Sequence, residues 1–310
     1  MVIDQLKPAT PAAPVRRRPR RQQVSGGYRI FQVFNAIVLT AIVIVTLYPF
    51  VNIVARSFSE EGYIRSGQVN LVPRGFNLET YGYVMSDSMF WTNYRNTVVY
   101  TVVATLISIV LTTCYAYVLS KKHLKGRTAL VGIAVFTMFF SGGLIPNYVL
   151  ISGLGLRNSL WAIVLPNAIN VFNLLVMKAF FESLPSELEE AAAVDGLNTY
   201  GTLWRIVLPL SKAVVATMLL FYSVSFWNSW FTAFLYMDRS DLFPVTVYLR
   251  NLIAGATSAT DNSSSSDAVA QTAANIQSVT IVLTVIPILL VYPFVQRYFV
   301  TGIMLGAVKG

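Results

Sequence analysis

The sequence predicts an all-α membrane protein with six transmembrane helices, and three observations carry that prediction. Hydrophobic residues make up 55% of the chain and charged residues only 12%, about half the charged share of a soluble domain; mean hydropathy is +0.59. Six apolar blocks are each long enough to cross about 30 Å of hydrocarbon. Lysine and arginine are shared unequally among the segments that join those blocks, which sets an orientation.

Residues 1–29 are rich in proline and arginine, with Arg16, Arg17, Arg18, Arg20 and Arg21. They read as a disordered basic tail anchored in the cytoplasm. They do not read as a secretory signal, because the apolar run that follows is about 25 residues long without an A-x-A site. The predicted spans are Ile30–Ala55, Thr97–Leu119, Thr128–Leu150, Leu160–Phe181, Ala213–Tyr236 and Ile276–Gln296. Residues 30–96 hold the first span and an outer segment, 93–297 the transmembrane core, and 298–310 a short tail. With the N-terminus inside, the inner segments carry 16 of the 23 lysines and arginines and the outer segments 7. Both ends and the polar stretch at 186–209 therefore fall on the cytoplasmic side. Two outer segments are long: Ser57–Asn96, and Met237–Asn275 with a serine run from Ser263 to Ser266. The latter reads as a linker, or as a loop over the mouth of a pore.

Several function classes drop out. A net charge of +9 in a soluble chain would point to nucleic acid; here its placement along the inner segments makes lipid the partner and nucleic acid none. Cys114 is single, which rules out a disulfide framework, and His123 lies in a loop beside Lys121 and Lys122. No metal-ligand cluster and no phosphate-binding glycine loop is present, so this chain is not expected to hydrolyse ATP or to hold a cofactor. The spans contain no Asp or Glu, and Lys178 and Arg297 sit near inner ends where they can snorkel. Ion-coupled carriers need intramembrane ionisable groups, so a secondary transporter is the weaker alternative.

The spans do hold neutral hydrogen-bonding groups. Asn170 and Asn173 are spaced i and i+3, and Asn167 extends the stripe. Such a face suits a wet path for a neutral polyhydroxylated solute, or interhelical hydrogen bonds. Phe226-Trp227-Asn228-Ser229-Trp230 offers Trp227 and Asn228 to the same path, or forms an interfacial aromatic belt.

The stretch Ser186–Pro209, SELEEAAAVDGLNTYGTLWRIVLP, is the long polar segment between two apolar blocks. Ser186 with Glu189 matches a capping box after Pro185, which predicts a helix start. Gly196 predicts its end, Asn198 or Thr199 a cap for a second short helix, and Leu208-Pro209 that helix's end. The expectation is a helix-turn-helix whose Ala191, Ala192 and Ala193 leave a bare face flanked by Glu190 and Asp195. The alternative is an amphipathic loop whose alanines reflect helix propensity.

The spacing itself carries a resemblance. Glu190-Ala191-Ala192, three residues, Gly196, nine residues, Ile206, one residue, Leu208-Pro209 resembles in full the EAA loop of ABC importer permeases. The stretches NTVVYTVVATLISIVLTTCYAYVLSKKHLKGR, IPNYVLISGLGLRNSLWAIVLP and YFVTGIMLGAVKG are similar to the maltose-type carbohydrate-uptake subunits of that family. FSGGLIPNYVL and the terminus look like the subgroup tied to lipoprotein and complex polysaccharide uptake, whereas VLPNAINVFN departs from the usual pattern. The resemblance implies a type I importer fold in which 186–209 is a coupling helix. It also implies a second permease in a heterodimer, two copies of an ATPase that holds ATP and Mg, and an extracytoplasmic solute-binding protein delivering a sugar. By analogy Glu190 pairs with a basic residue of the ATPase cleft, and Met304–Gly310 enters the ATPase dimer. The alternative within the family is a permease for another neutral solute.

Overall fold

The computed structural model describes residues 26–261, 275–291 and 293. Among them the chain is helical, with one isolated antiparallel bridge between Ser59 and Phe76. The basic tail through residue 25, the serine run and the C-terminal segment lie outside the described residues. The chain divides into two units at Phe50 and Val51.

Helix α1, Gly26–Ser57, supplies all described residues of the first unit and enters the second. It starts four residues before the predicted span, inside the stretch expected to be a disordered tail. Its Ile, Val, Leu and Phe side chains through Phe50 are exposed, and a helix of that length with apolar residues on every face is built for lipid. The second unit continues with two short helices, α2 (Glu61–Arg65) and α3 (Glu79–Ser86). The central helix α4, Ser88–Ser120, follows; Asp87 caps it by accepting from the Met89 N–H at 2.8 Å. Along its middle, from Thr101 to Ala116, every buried residue is small: Thr101, Ala104, Thr105, Ser108, Thr112, Thr113 and Ala116. Small residues at one-turn spacing let neighbouring backbones approach closely, which replaces the hydrophobic drive that lipid cannot provide. Helices α8 (Val171–Glu182), α12 (Lys212–Trp227) and α14 (Val245–Asp261) pack against α4.

Three predicted spans are not single helices. The third divides into α5 (Arg127–Phe139) and α6 (Leu144–Gly153), bent by 112°. Ser141-Gly142-Gly143 makes the break, and Gly143 has φ +90°, a conformation closed to most side chains. The fourth divides into α7 (Trp161–Val164), which runs through a 3₁₀ turn to Asn167, and α8, bent by 52° after Pro166. The fifth was expected at Ala213–Tyr236; α12 stops at Trp227, and α13 covers Trp230–Tyr236. A further apolar helix, α15, covers Asn275–Val291. Among the described residues two unbroken helices, α1 and α4, are long and apolar enough to cross a membrane, and up to five spans result if each bent pair, the third being Thr199–Leu210 with Lys212–Trp227, counts as one.

The outer segment at 237–275 differs most from expectation. Its first half is not a linker. Arg157 pairs with Asp238 at 2.7 Å, a 3₁₀ turn covers Ser240–Leu242, and α14 follows. Asn96 donates to the Asp241 carbonyl at 2.7 Å, Tyr100 donates to the Leu242 carbonyl at 2.9 Å, and the Val245 N–H donates to Thr97 Oγ1 at 2.7 Å. Val84, Phe90, Val245, Ile276 and Val279 bury together beneath this clamp.

Coupling segment and candidate solute path

The segment 186–209 folds as two helices joined by a tight turn. Helix α9 spans Glu187–Val194. Its end is closed by two bonds, Gly196 N–H to the Ala193 carbonyl at 3.1 Å and Leu197 N–H to the Ala192 carbonyl at 2.9 Å, the paired pattern of a Schellman turn. Gly196 sits at φ +77°. Asn198 then caps α10 (Thr199–Thr202) by accepting from the Gly201 N–H at 2.8 Å.

Two local expectations are corrected. The capping box does not form: Ser186 has helical angles, φ −66° and ψ −25°, and its side chain caps nothing. Glu189 instead pairs with Lys121 at the C-terminal end of α4, and that ammonium also lies 3.8 Å from the centre of the Tyr117 ring. A full charge 68 residues away outbids a neutral N–H three residues away. Nor does the second helix end at Leu208-Pro209. It widens into a π turn over Leu203–Val207, where Leu208 N–H bonds to the Leu203 carbonyl, and continues as α11, Leu208–Leu210. The direction changes by 86° only at Ser211, before α12. Proline lacks the N–H that an α-turn requires, and the wider turn accommodates it.

This geometry sorts the segment's side chains. Ala192 is 1% exposed, and Leu203 and Val207 join a buried cluster with Leu119, Leu174, Met177 and Met218. Ile206 and Leu208 are half-buried; Glu190, Ala191, Asp195 and Pro209 are exposed. Beside them Val194 is 89%, Tyr200 73% and Trp204 58% exposed. One face thus anchors the segment while the other presents apolar and acidic groups outward. Around its base, Glu182 bonds both Arg127 and Lys178, the latter at 2.9 Å. Lys178 and Glu182 are legible as an i,i+4 pair; Arg127 and Lys121 are not, because nothing local announces their partners.

The asparagines do not form a stripe on one continuous helix. They surround the break between α7 and α8. Asn167 donates to the Ile163 carbonyl at 3.2 Å, while Asn170 caps α8 by accepting from the Asn173 N–H at 3.1 Å. Asn167 and Asn170 are exposed, and Asn173 is buried. Sequence reasoning missed the residue that holds this break, Tyr222 of α12. Its hydroxyl accepts from the Asn170 N–H at 2.9 Å and bonds Thr112 of α4 at 2.6 Å. Trp227 is buried at the end of α12, and Asn228 is exposed, donating to the Val224 carbonyl at 2.9 Å.

A bundle of apolar helices, broken at polar points and carrying a docked polar helix-turn-helix with an outward face, is the architecture of a membrane transport subunit. Comparison with known proteins makes that specific. Residues 126–304 match the family model described as binding-protein-dependent transport system inner membrane component. Protein LplC of Bacillus subtilis is 41% identical over 91% of this chain and 96% of its own length. The polygalacturonan/rhamnogalacturonan transport system permease protein YtcP of the same organism is 40% identical over 91% and 99%. Among solved structures, a chain of a bacterial ABC transporter involved in import of the acidic polysaccharide alginate superposes with a TM-score of 0.79. It is 35% identical, with 89% of this chain and 98% of that one covered. This protein belongs to the binding-protein-dependent transport system inner membrane components. It is a non-catalytic ABC importer permease of the carbohydrate-uptake class.

Proposed function

We propose that this chain is one of two unlike permeases that together pass an oligosaccharide across the cytoplasmic membrane, driven by two copies of a partner ATPase. ATP and Mg are held by that ATPase, and an extracytoplasmic binding protein delivers the sugar. The chain crosses the membrane six times with both ends in the cytoplasm. The observation that carries this reading is the outward face of α9: a helix anchored through Ala192, ended by Gly196, and presenting Glu190, Ala191 and Asp195 to a partner. Glu190 meets a basic residue in the ATPase cleft. Ile206, Leu208 and Pro209 carry the resulting displacement into α12 through the bend at Ser211.

The sugar meets the exposed amides Asn167, Asn170 and Asn228, with Asn173 and Trp227 fixing the helix ends beside them. Spans without Asp or Glu favour hydroxyl-rich solutes over cations. The relatives in systems for polygalacturonan, rhamnogalacturonan and alginate support a solute of oligosaccharide size.

Glu190→Lys tests the reading in the complete transporter. Uptake of labelled oligogalacturonide or malto-oligosaccharide is expected to fall at least tenfold, with insertion and association with the second permease intact. Normal uptake by Glu190→Lys sinks the docking role of that carboxylate. Purification of the tagged chain without any ATPase sinks the importer reading as a whole.

A further inference from the structure

The break in the fourth span leaves a backbone donor without its helical partner. In a straight helix the Asn170 N–H would bond the carbonyl four residues back, that of Pro166; at the 52° bend between α7 and α8 it does not. It donates instead, at 2.9 Å, to the hydroxyl of Tyr222 on α12. The same oxygen bonds Thr112 Oγ1 at 2.6 Å, so one hydroxyl joins α12, α8 and α4. Tyr222 is 2% exposed and Thr112 is fully buried, so water is not at hand to replace either bond. The ring is stacked on Phe226 and lies in a buried cluster with Ala104, Ile163 and Val164, which fixes where the hydroxyl stands.

The held break presents two complementary groups. Asn170 uses its Oδ1 to cap α8, accepting from the Asn173 N–H at 3.1 Å, and its amino group has no partner among the described residues. Asn167 does the reverse: its Nδ2 donates to the Ile163 carbonyl at 3.2 Å, and its Oδ1 is left over. Both side chains are exposed. A donor and an acceptor three residues apart match the two capacities of a hydroxyl group, and their separation follows the bend.

Tyr222 also has a place on the route from the 186–209 segment. It stands ten residues, about 15 Å, along α12 from Lys212, and α12 leaves that segment through the 86° bend at Ser211. A shift of α12 is therefore felt at Asn170 through a single buried hydroxyl, with Thr112 of α4 as the reference point. We propose that Tyr222 is a positioning residue for transport: it passes the displacement of α12 to the bend between α7 and α8, and so sets when Asn167 and Asn170 stand at the spacing that grips a sugar hydroxyl. This link rests on the importer reading given above.

The test uses the assembled transporter in proteoliposomes. Spin labels are placed at Trp161→Cys and Val176→Cys, exposed positions on either side of the break, in a Cys114→Ser background that removes the exposed native thiol. Electron–electron double resonance reads the distance between them. The labelled parent is expected to give one narrow distribution that shifts when vanadate traps the ATPase. Tyr222→Phe keeps the ring and loses only the hydroxyl; its distribution should broaden and its vanadate shift vanish. Uptake of labelled oligogalacturonide per assembled transporter should fall about fivefold, the effect of one lost hydrogen bond of about 1 kcal/mol. ATP hydrolysis should be kept, so that more ATP is hydrolysed per sugar imported. Thr112→Val should broaden the same distribution with Tyr222 in place, and Thr112→Ser, which keeps a hydroxyl, should restore it. That pair carries the test where Tyr222→Phe fails to assemble. A distribution unchanged in Tyr222→Phe and Thr112→Val, or an uptake loss at the parent's ratio of ATP to sugar, overturns the proposal and reduces the hydroxyl to packing. So does a parent that imports sugar while its distance ignores vanadate. A parent that takes up no oligosaccharide strikes the importer reading itself, and the link with it.

Discussion

The two ends of α4 meet the rest of the chain in opposite ways. At its N-terminal end, the one expected outside, neutral and largely buried side chains of α4 bond backbone: Asn96 to the Asp241 carbonyl, Tyr100 to the Leu242 carbonyl, and Thr97 to the Val245 N–H. At its C-terminal end, the one expected inside, charge does the tying. Lys121 holds Glu189, and Arg127 shares Glu182 with Lys178. Buried hydrogen bonds to backbone cannot be exchanged for water and fix one geometry. Partly exposed ion pairs are worth little and tolerate sliding. The outer clamp is thus built to stay, and the inner attachment leaves α9 able to shift while remaining connected, as the proposed docking of a partner requires.

The largest expected effect is at the turn that ends α9. Gly196 at φ +77° has open space where a Cβ would stand, so substitution strains the backbone without a clash. Gly196→Val should cost about 1–2 kcal/mol locally and reduce sugar uptake at least tenfold in vesicles, because the strain is relieved by rebuilding α9, the helix proposed to dock the partner. Gly196→Asn, which tolerates that conformation, should retain most uptake. Equal activity of the two variants would show that the turn does not transmit motion. The mirror experiment is at the outer clamp. Thr97→Val leaves the buried Val245 N–H without its acceptor and should destabilise the protein by about 1–3 kcal/mol, read by unfolding in mixed micelles. Uptake per folded molecule should be kept. Loss of uptake without loss of stability would make the clamp a moving part and erase the contrast.

Much of this contrast was legible from sequence where the determinants are local. Gly196 and Asn198 place the α9–α10 turn because a left-handed residue and an Asx cap act within three or four positions. The same logic misled at Ser186, where the long-range partner of Glu189 decides, and at the asparagines, where i, i+3 spacing presumes an unbroken helix. Pro166 was the available warning, since a proline in a span frees a backbone group that something must re-satisfy; that group of interactions is organised by Tyr222, 52 residues from Asn170. Helix α14 was read as linker because its Thr, Asn and Gly content obscured the apolar positions Val245, Tyr248 and Leu252, which fall on one helical stripe.

A smaller effect is expected where α14 meets the start of α4. Tyr248 donates to Asp87 at 2.6 Å. Burial first, and then that bond, raise the phenol's pKa above its ordinary value. Because the folded pKa is raised, the protonated phenol favours the folded state. This contribution is complete below the unfolded value of about 10 and is lost only as pH rises through the folded one. Tyr248→Phe should therefore lower stability by about 1 kcal/mol, uniformly from neutral pH to about pH 9. A loss that appears only above pH 9 would place the phenol's partner elsewhere.

The smallest change in stability, and the sharpest separation of holding from transmitting, is expected at Lys121 and Glu189. Their side chains are 16% and 37% exposed, so the pair contributes about 0.2–1 kcal/mol. Glu189→Gln should barely move the unfolding midpoint. Its effect should appear in coupling: α9 would keep Glu190, the residue proposed to meet the ATPase, but lose the tie that orients it against α4, so more ATP is hydrolysed per sugar imported. Lys121→Glu should do the same, and Lys121→Glu combined with Glu189→Lys should recover the wild-type ratio, because the attraction survives exchange of its ends. A double variant that stays uncoupled would show that the ammonium is needed at α4 for another reason, its place over the Tyr117 ring being the first candidate. The inner attachment would then be a fixed contact like the outer one.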